Sequence, residues 1–328
     1  VPLLANVTTT PGGDLRIVTD GRRLDFASLA GVQMAFPDDD AVLMLSGITG
    51  LEIPPRRVTA QDFPGLDGQR LTQLSTGSRE VVIPFLFDSP SGDVRTSRAA
   101  LAKVRALLDY RATDYALNEG TFDLVATGVD GTGTRYLRVT YVDGMEGNLG
   151  IANGGTYWST CDARLLAVSP YWRGETWGIF DVGIGADDPF LAVATEPQYD
   201  LVISSDRVLG VGVPVRVAGD VPSPCKVRVV GPATTTHVTS PAGLDVTIGN
   251  VPTGQTFILD TGTTDNGRRK SATLQGVSSW SLISASPKWG TGGALPVGNT
   301  TVDIVATGAT SATRISVYGT ALYETAWP

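Results

Sequence analysis

Between Tyr199 and Pro328 the chain shows no helical periodicity, only short apolar runs, each closed by turn residues. The runs are Leu201–Ser204, Val213–Val217, Lys226–Val230, Leu244–Ile248, Thr256–Leu259, Ser271–Leu274, Trp280–Ile283, Thr301–Val305 and Thr313–Tyr318. Segments this short, bounded by Gly, Pro, Asn and Asp, match strands and fall below the length of ordinary helices. Eight or nine strands at this spacing predict a β-sandwich of jelly-roll type.

The preceding half is organised differently. Residues 14–27, DLRIVTDGRRLDFA, read as a hairpin around Asp20-Gly21, a strong two-residue turn signal. Val32–Phe36 and Ala41–Leu45 repeat the plan around Pro37-Asp38-Asp39-Asp40. Residues 54–78 are polar, rich in Pro and Gly and weakly patterned, which predicts a long loop. Glu80–Phe87 is a dense strand whose Pro84 suggests an edge or a bulge. One helix is expected over 94–111, capped by Asp93, with Leu101, Val104, Leu107 and Leu108 on one face and Arg95, Arg98, Lys103 and Arg105 on much of the rest. Phe122–Thr127 and Thr134–Val142 form a hairpin around Asp130-Gly131-Thr132-Gly133, followed by a Gly-rich loop at 147–155.

Thr156–Glu175 then alternates as a half-buried strand, enters the apolar run Leu165–Val168, and meets Ser169-Pro170. Proline lacks an amide hydrogen and restricts the residue before it, so the ladder should stop there. Pro170, Tyr171 and Trp172 are therefore read as the seam between two domains. Residues 1–175 form a β-barrel-like domain with one helix, and residues 176–328 form a sandwich, with 176–200 as a transition. Two domains also suit the length, since 328 residues exceed what one core usually serves.

Charged residues are only 18% of the chain, while Gly (39) and Pro (20) are frequent, a mix that favours an all-β protein with many turns. The net charge of −8 is spread over both halves, and neither carries the basic stripe of a nucleic-acid reader. No apolar stretch approaches a membrane span, and no secretory leader is visible at the start. Cys161 and Cys225 fall in different domains, so two free, buried thiols are expected over a disulfide.

Catalytic signals are thin. Asp260-Thr261-Gly262 after Phe257-Ile258-Leu259 has the form of an aspartic-protease triplet, but that chemistry needs two carboxylates sharing a proton, and no second triplet exists. His237 is the only histidine, placed in a threonine-flanked loop, so triads and catalytic zinc sites would rest on it alone. Gly183-Ile184-Gly185 lacks the strand–helix context of a nucleotide loop. Asp38-Asp39-Asp40 has no further ligands at calcium-loop spacing and reads as a solvated turn. No enzyme, cofactor or metal is expected. Trp280 and Trp289 could offer a flat platform for sugar rings, against the commoner role of indoles as core.

Three passages resemble the distal tail proteins of siphovirus-type bacteriophages. The first is Ser169-Pro170-Tyr171-Trp172-Arg173-Gly174, similar to that family's proline-aromatic exit from its N-terminal domain. The second runs from Ala218-Gly219-Asp220-Val221-Pro222-Ser223-Pro224 through Cys225–Val230 to Gly231-Pro232. The third is Leu295-Pro296-Val297-Gly298-Asn299, with Thr301–Val305 and a closing strand to Tyr318 and Tyr323. Asp260-Thr261 also falls where the family has an aspartate-threonine pair at a strand end. The resemblance implies a structural protein of the virion at the distal end of the tail, made in the host bacterial cytoplasm. It implies a homo-oligomeric ring, typically hexameric, built from the N-terminal domain. That ring joins the tail tube to the tail-tip hub, beside the tape measure protein, and leaves a channel through which DNA passes unbound. A galectin-like C-terminal sandwich would project outward. The alternative function is a carbohydrate-binding module or adhesin recognising host-wall glycans.

Overall fold

The computed structural model describes residues 14–19, 22–26, 42–44, 48–62, 69–88, 94–108, 121–127, 133–145, 158–167, 169–183, 207–262, 270–284, 287–289 and 293–327. Two compact units emerge: Val1–Arg173 with Tyr323–Pro328, and Gly174–Leu322. The second unit is thus an insertion in the chain of the first.

The first unit comprises β1 (Asp14–Thr19), β2 (Arg22–Phe26), β3 (Val42–Met44), β4 (Arg56–Asp62), β5 (Gln69–Thr76), β6 (Arg79–Asp88), α1 (Val94–Leu108), β7 (Phe122–Thr127), β8 (Arg135–Asp143), β9 (Trp158–Ala167) and the start of β10 (Trp172–Val182). Its main sheet is antiparallel in the order β2–β1–β7–β8–β9–β6–β3 and curls into a barrel-like form. Pattern explains the pairing. On β6, Val81, Ile83, Phe85 and Phe87 are fully buried, and β9 answers with Cys161, Ala163, Leu165 and Ala167. Register sets Phe85 opposite Cys161 and Ile83 opposite Ala163, a large residue against a small one. That leaves room for Leu101, Val104 and Leu108 of α1, which join the same core. Each such side chain contributes roughly 1.5–3 kcal/mol on burial.

Two expectations are corrected here. Strand β6 is not an edge, since β3 and β9 flank it. Val82 gives its N–H to Thr49 O, and Pro84, two residues on, faces the same way, between the Met44 and Thr49 pairings. Residues 54–78 are not a long loop either, because β4 and β5 pair antiparallel within them. The helix is described to Leu108; residues 109–111, the Asp93 cap, the Asp20-Gly21 and Asp130–Gly133 turns, the 147–155 loop and the Asp38-Asp39-Asp40 turn lie wholly or partly outside the described residues.

The second unit contains most of β10, then β11 (Arg207–Val217), β12 (Ser223–Val230), β13 (Thr235–Thr239), β14 (Leu244–Ile248), β15 (Thr256–Asp260), β16 (Ser271–Leu274), β17 (Val277–Ser278), β18 (Lys288–Trp289), β19 (Ala294–Leu295), β20 (Gly298–Thr307) and β21 (Arg314–Tyr323). They form a β-sandwich-like arrangement of two sheets, β17–β16–β15–β12–β21–β10 and β11–β20–β13–β14–β18. Alternate residues are buried: Cys225, Val227, Val229, Phe257, Leu259, Ile315 and Val317 in one sheet, and Val213, Val215, Val238, Val246, Val302 and Ile304 in the other. Three sequence expectations change. Trp280–Leu282 is a 3-10 turn, not a strand. His237 lies in β13, not in a loop. The expected transition from residue 176 begins as strand, with β10 running to Val182; residues 184–200 lie outside the described set.

Candidate functional site

The proline corner is where the first unit concentrates its polar machinery. Strand β9 leaves β8 at the Thr140–Leu166 pair, and β10 rejoins the same neighbour at Tyr136–Arg173. The ladder does stop at Ser169-Pro170, as a residue without an N–H requires, but resumes within a few residues instead of ending the sheet. Tyr171 donates its hydroxyl to Thr76 Oγ1 at 2.9 Å. Trp172 is fully buried in the core of the first unit. Arg173 and Arg138 both bond Asp123 Oδ1, at 2.9 and 3.0 Å.

Beneath the corner lies Arg79, only 1% exposed. Its Nε donates to Pro170 O at 2.7 Å, and its two terminal nitrogens donate to Gly50 O (2.8 Å), Glu52 O and Glu324 O (2.6 Å). One planar fork of donors thereby ties three separate stretches of backbone. Burial pulls the guanidinium down to about 10, with Glu52, Glu324 and Tyr171 acting against that shift; it remains protonated at neutral pH.

The returning segment around Glu324 is held by further arginines. Arg135, 6% exposed, donates to Thr325 O at 2.9 Å and stacks 3.7 Å above the Tyr323 ring. Arg56 pairs with the Glu324 carboxylate. Ala326 is fully buried and gives its N–H to Leu51 O at 3.0 Å. Sequence reasoning missed Arg79, Arg135 and this segment. A lone arginine at the head of an apolar strand was the available signal at Arg79, and nothing in the pattern names its acceptors.

Asp260-Thr261-Gly262 is fully occupied with structure. Asp260 Oδ1 accepts the Gly262 N–H at 3.0 Å, and Oδ2 lies 3.3 Å from Lys226 Nζ. The Thr261 hydroxyl lies 2.6 Å from Gly293 O and 2.8 Å from Cys225 O, and accepts the Cys225 N–H at 3.1 Å. A Cβ at Gly262 would stand 2.1 Å from the Pro224 ring, so only glycine fits. The triplet pins β15 to β12.

His237 Nε2 lies 2.8 Å from Asp245 Oδ1, and Lys288 Nζ lies 3.3 Å from Oδ2. These contacts hold the Asp245 carboxyl below its usual range, the His237 hydrogen bond most of all. Trp280 sits on the 3-10 turn and is 43% exposed, while the half-buried Trp289 on β18 has Lys270 Nζ 4.3 Å above its ring. Among the described residues no group of three or more His, Cys, Asp or Glu could hold a metal ion. No helix among them is long and apolar enough to cross a membrane.

Both cysteines are free and buried. Burial pushes the Cys225 thiol up to about 11, and raises Cys161 as well. The thiolate is the reactive form, so at about pH 8 a disulfide-exchange reagent should label Cys225 only after denaturation. Rapid stoichiometric labelling of the native protein would show that the sandwich core opens there.

A curled, barrel-like sheet with one α-helix among the described residues, carrying a β-sandwich inserted in its sequence, defines the class. No protein-family model matches the chain, and no curated protein matches its sequence. Solved structures do. SPP1 Dit, described as a paradigm of the hub adsorption apparatus in Gram-positive infecting phages, aligns with a TM-score of 0.59 at 13% identity, covering 94% of this chain and 98% of that one. The baseplate of phage P2 in its activated conformation, with calcium or strontium, aligns at a TM-score of 0.45 and 10% identity over 93% of this chain and 97% of that one. It adds no weight. The likeness to phage distal tail proteins read from the sequence thus holds at the level of the whole fold.

Proposed function

We propose that this chain is a structural subunit of a phage tail tip, forming a homo-oligomeric, six-fold ring between the tail tube and the tail-tip hub. The observation that carries the reading is the end-to-end agreement of fold with SPP1 Dit, in which 98% of that chain has a counterpart here. Agreement over nearly the whole of both chains is more specific than a shared sandwich alone. The first unit builds the ring, the second projects from it, and DNA passes through the central channel without being gripped. The net charge of −8 suits that last role, because an acidic wall repels the phosphate backbone. Tail tube, tape measure and hub proteins are the partners, and the distal end of the virion tail is the location.

Light scattering behind size-exclusion chromatography, with negative-stain imaging, tests this directly. The expected result is a closed ring whose mass is about six subunits. A species that stays at the mass of one chain at high concentration, with no ring in the images, would overturn it.

A further inference from the structure

Helix α1 carries four basic residues and no acidic one along its 15 positions. Arg95 stands in its first turn, where the helix dipole favours anions, so there the charge works against the helix. Arg95, Arg98, Ala102 and Arg105 recur at spacings of three and four and fall on one exposed stripe, with Ala99 beside them. Neither Arg98 nor Arg105 has a carboxylate partner among the described residues; Arg105 gives its Nε–H to Met145 O at 2.6 Å. The opposite stripe, with Leu101, Val104 and Leu108, is the one the core receives.

That core meets one side of β6 and β9, through Ile83, Phe85, Cys161 and Ala163. The other side of the same strands faces away from the helix, and it is acidic. Register sets Glu80 opposite Leu166, Val82 opposite Arg164 and Pro84 opposite Asp162, while Asp143 of β8 comes level with Arg164. Arg164 lies 4.0 Å from Glu80 and 3.6 Å from Asp143. Asp162 is exposed and has no cation partner among the described residues. Three carboxylates thus stand around a single guanidinium. Among them Val82, Pro84 and Leu166 are only half-buried.

The arginine stripe and the acidic face are therefore the two outsides of one two-layer slab, and no copy can bring its own pair together. Two copies can, head to tail, with opposite charges steering the contact, and a contact of that kind closes into rings. The spans agree. Arg98 and Arg105 are about 10 Å apart along the helix, and the levels of Asp162 and Glu80 are roughly 13 Å apart along the strands. Long arginine side chains cover that difference, and the alanines between them let the helix approach closely.

We propose that the arginine stripe of α1 in one copy seats on the Glu80–Asp162 face of β6 and β9 in the next, with Ala99 and Ala102 over Val82 and Pro84. The proposal rests on the ring reading above and names the surfaces that build the ring. Two charge reversals test it, R98E/R105E on the helix and E80R/D162R on the sheet, all at exposed positions. Each should melt as wild type does and lose the ring. Combined in one chain, the four substitutions restore opposite charges across the contact and should restore the ring. A two-site variant that keeps the full ring, or a four-site variant that stays monomeric, overturns the pairing. Should a variant fail to fold, a photo-crosslinking residue at Ala102 in the otherwise wild-type chain replaces it. Attachment to β6 or β9 of a second copy is expected, and attachment elsewhere overturns the proposal. A wild-type monomer would sink the ring reading and the pairing together, whereas intact rings in both two-site variants sink the pairing alone.

Discussion

Replacing Arg79 with alanine is expected to destabilise the first unit by about 3–5 kcal/mol, since buried backbone acceptors that lose their donor keep their desolvation cost. Four backbone carbonyls, of Gly50, Glu52, Pro170 and Glu324, lose their donor in one step. A buried acceptor left unsatisfied costs roughly 1–3 kcal/mol, and water entering the vacated space offsets only part of the total. Arg79→Lys should recover little, because an ammonium is a point charge and cannot reproduce the planar fork. Urea unfolding of the three forms, with enough points to separate the transitions of the two units, gives the comparison. An Arg79→Ala midpoint within error of wild type would mean that these carbonyls find water as readily as they find the guanidinium.

Trp172→Ala should cost a similar amount, about 3–5 kcal/mol, for a different reason. Truncating a large buried aromatic loses its transfer free energy and leaves a cavity that the surroundings fill only in part. Trp172 is fully buried among the core residues of the first unit. Its indole Nε1 is buried without a hydrogen-bond partner, so the ring is held by packing alone. Trp172→Phe should therefore retain most of the stability. If phenylalanine proved as damaging as alanine, the nitrogen would have to be making a bond that matters.

The sequence disclosed the regular parts and concealed the exceptional ones, for physical reasons. A dense apolar run marked Glu80–Phe87 as a strand and alternation marked the stretch from Thr156, because a sheet buried on one side imposes a period of two. That Glu80–Phe87 is central and not an edge was concealed by Pro84. Leu101, Val104 and Leu108 marked the helix face that the core receives. The β4–β5 hairpin was hidden because a bulge breaks its period and its apolar residues are sparse. Strand β13 was hidden because threonine serves strand and loop alike, and in it His237 turns out to face Asp245. Trp280–Leu282 failed the other way, since an apolar triplet beside a turn can wind as readily as it can extend. Asp260-Thr261-Gly262 carried a misleading motif. Its meaning depends on Cys225 and Gly293, which are distant in sequence and adjacent in space.

The segment that returns from the second unit to the first carries a consequence for biosynthesis. A ribosome reaches Tyr323 only after every residue of the inserted sandwich has been made. Until then Arg79 lacks the Glu324 carbonyl, Arg135 lacks the Thr325 carbonyl and Leu51 lacks the Ala326 amide. Domains usually mature in the order they emerge. Here the order inverts: the inserted sandwich can finish first, while the barrel-like sheet, although mostly translated earlier, waits with its arginines solvated until the Tyr323–Ala326 segment emerges.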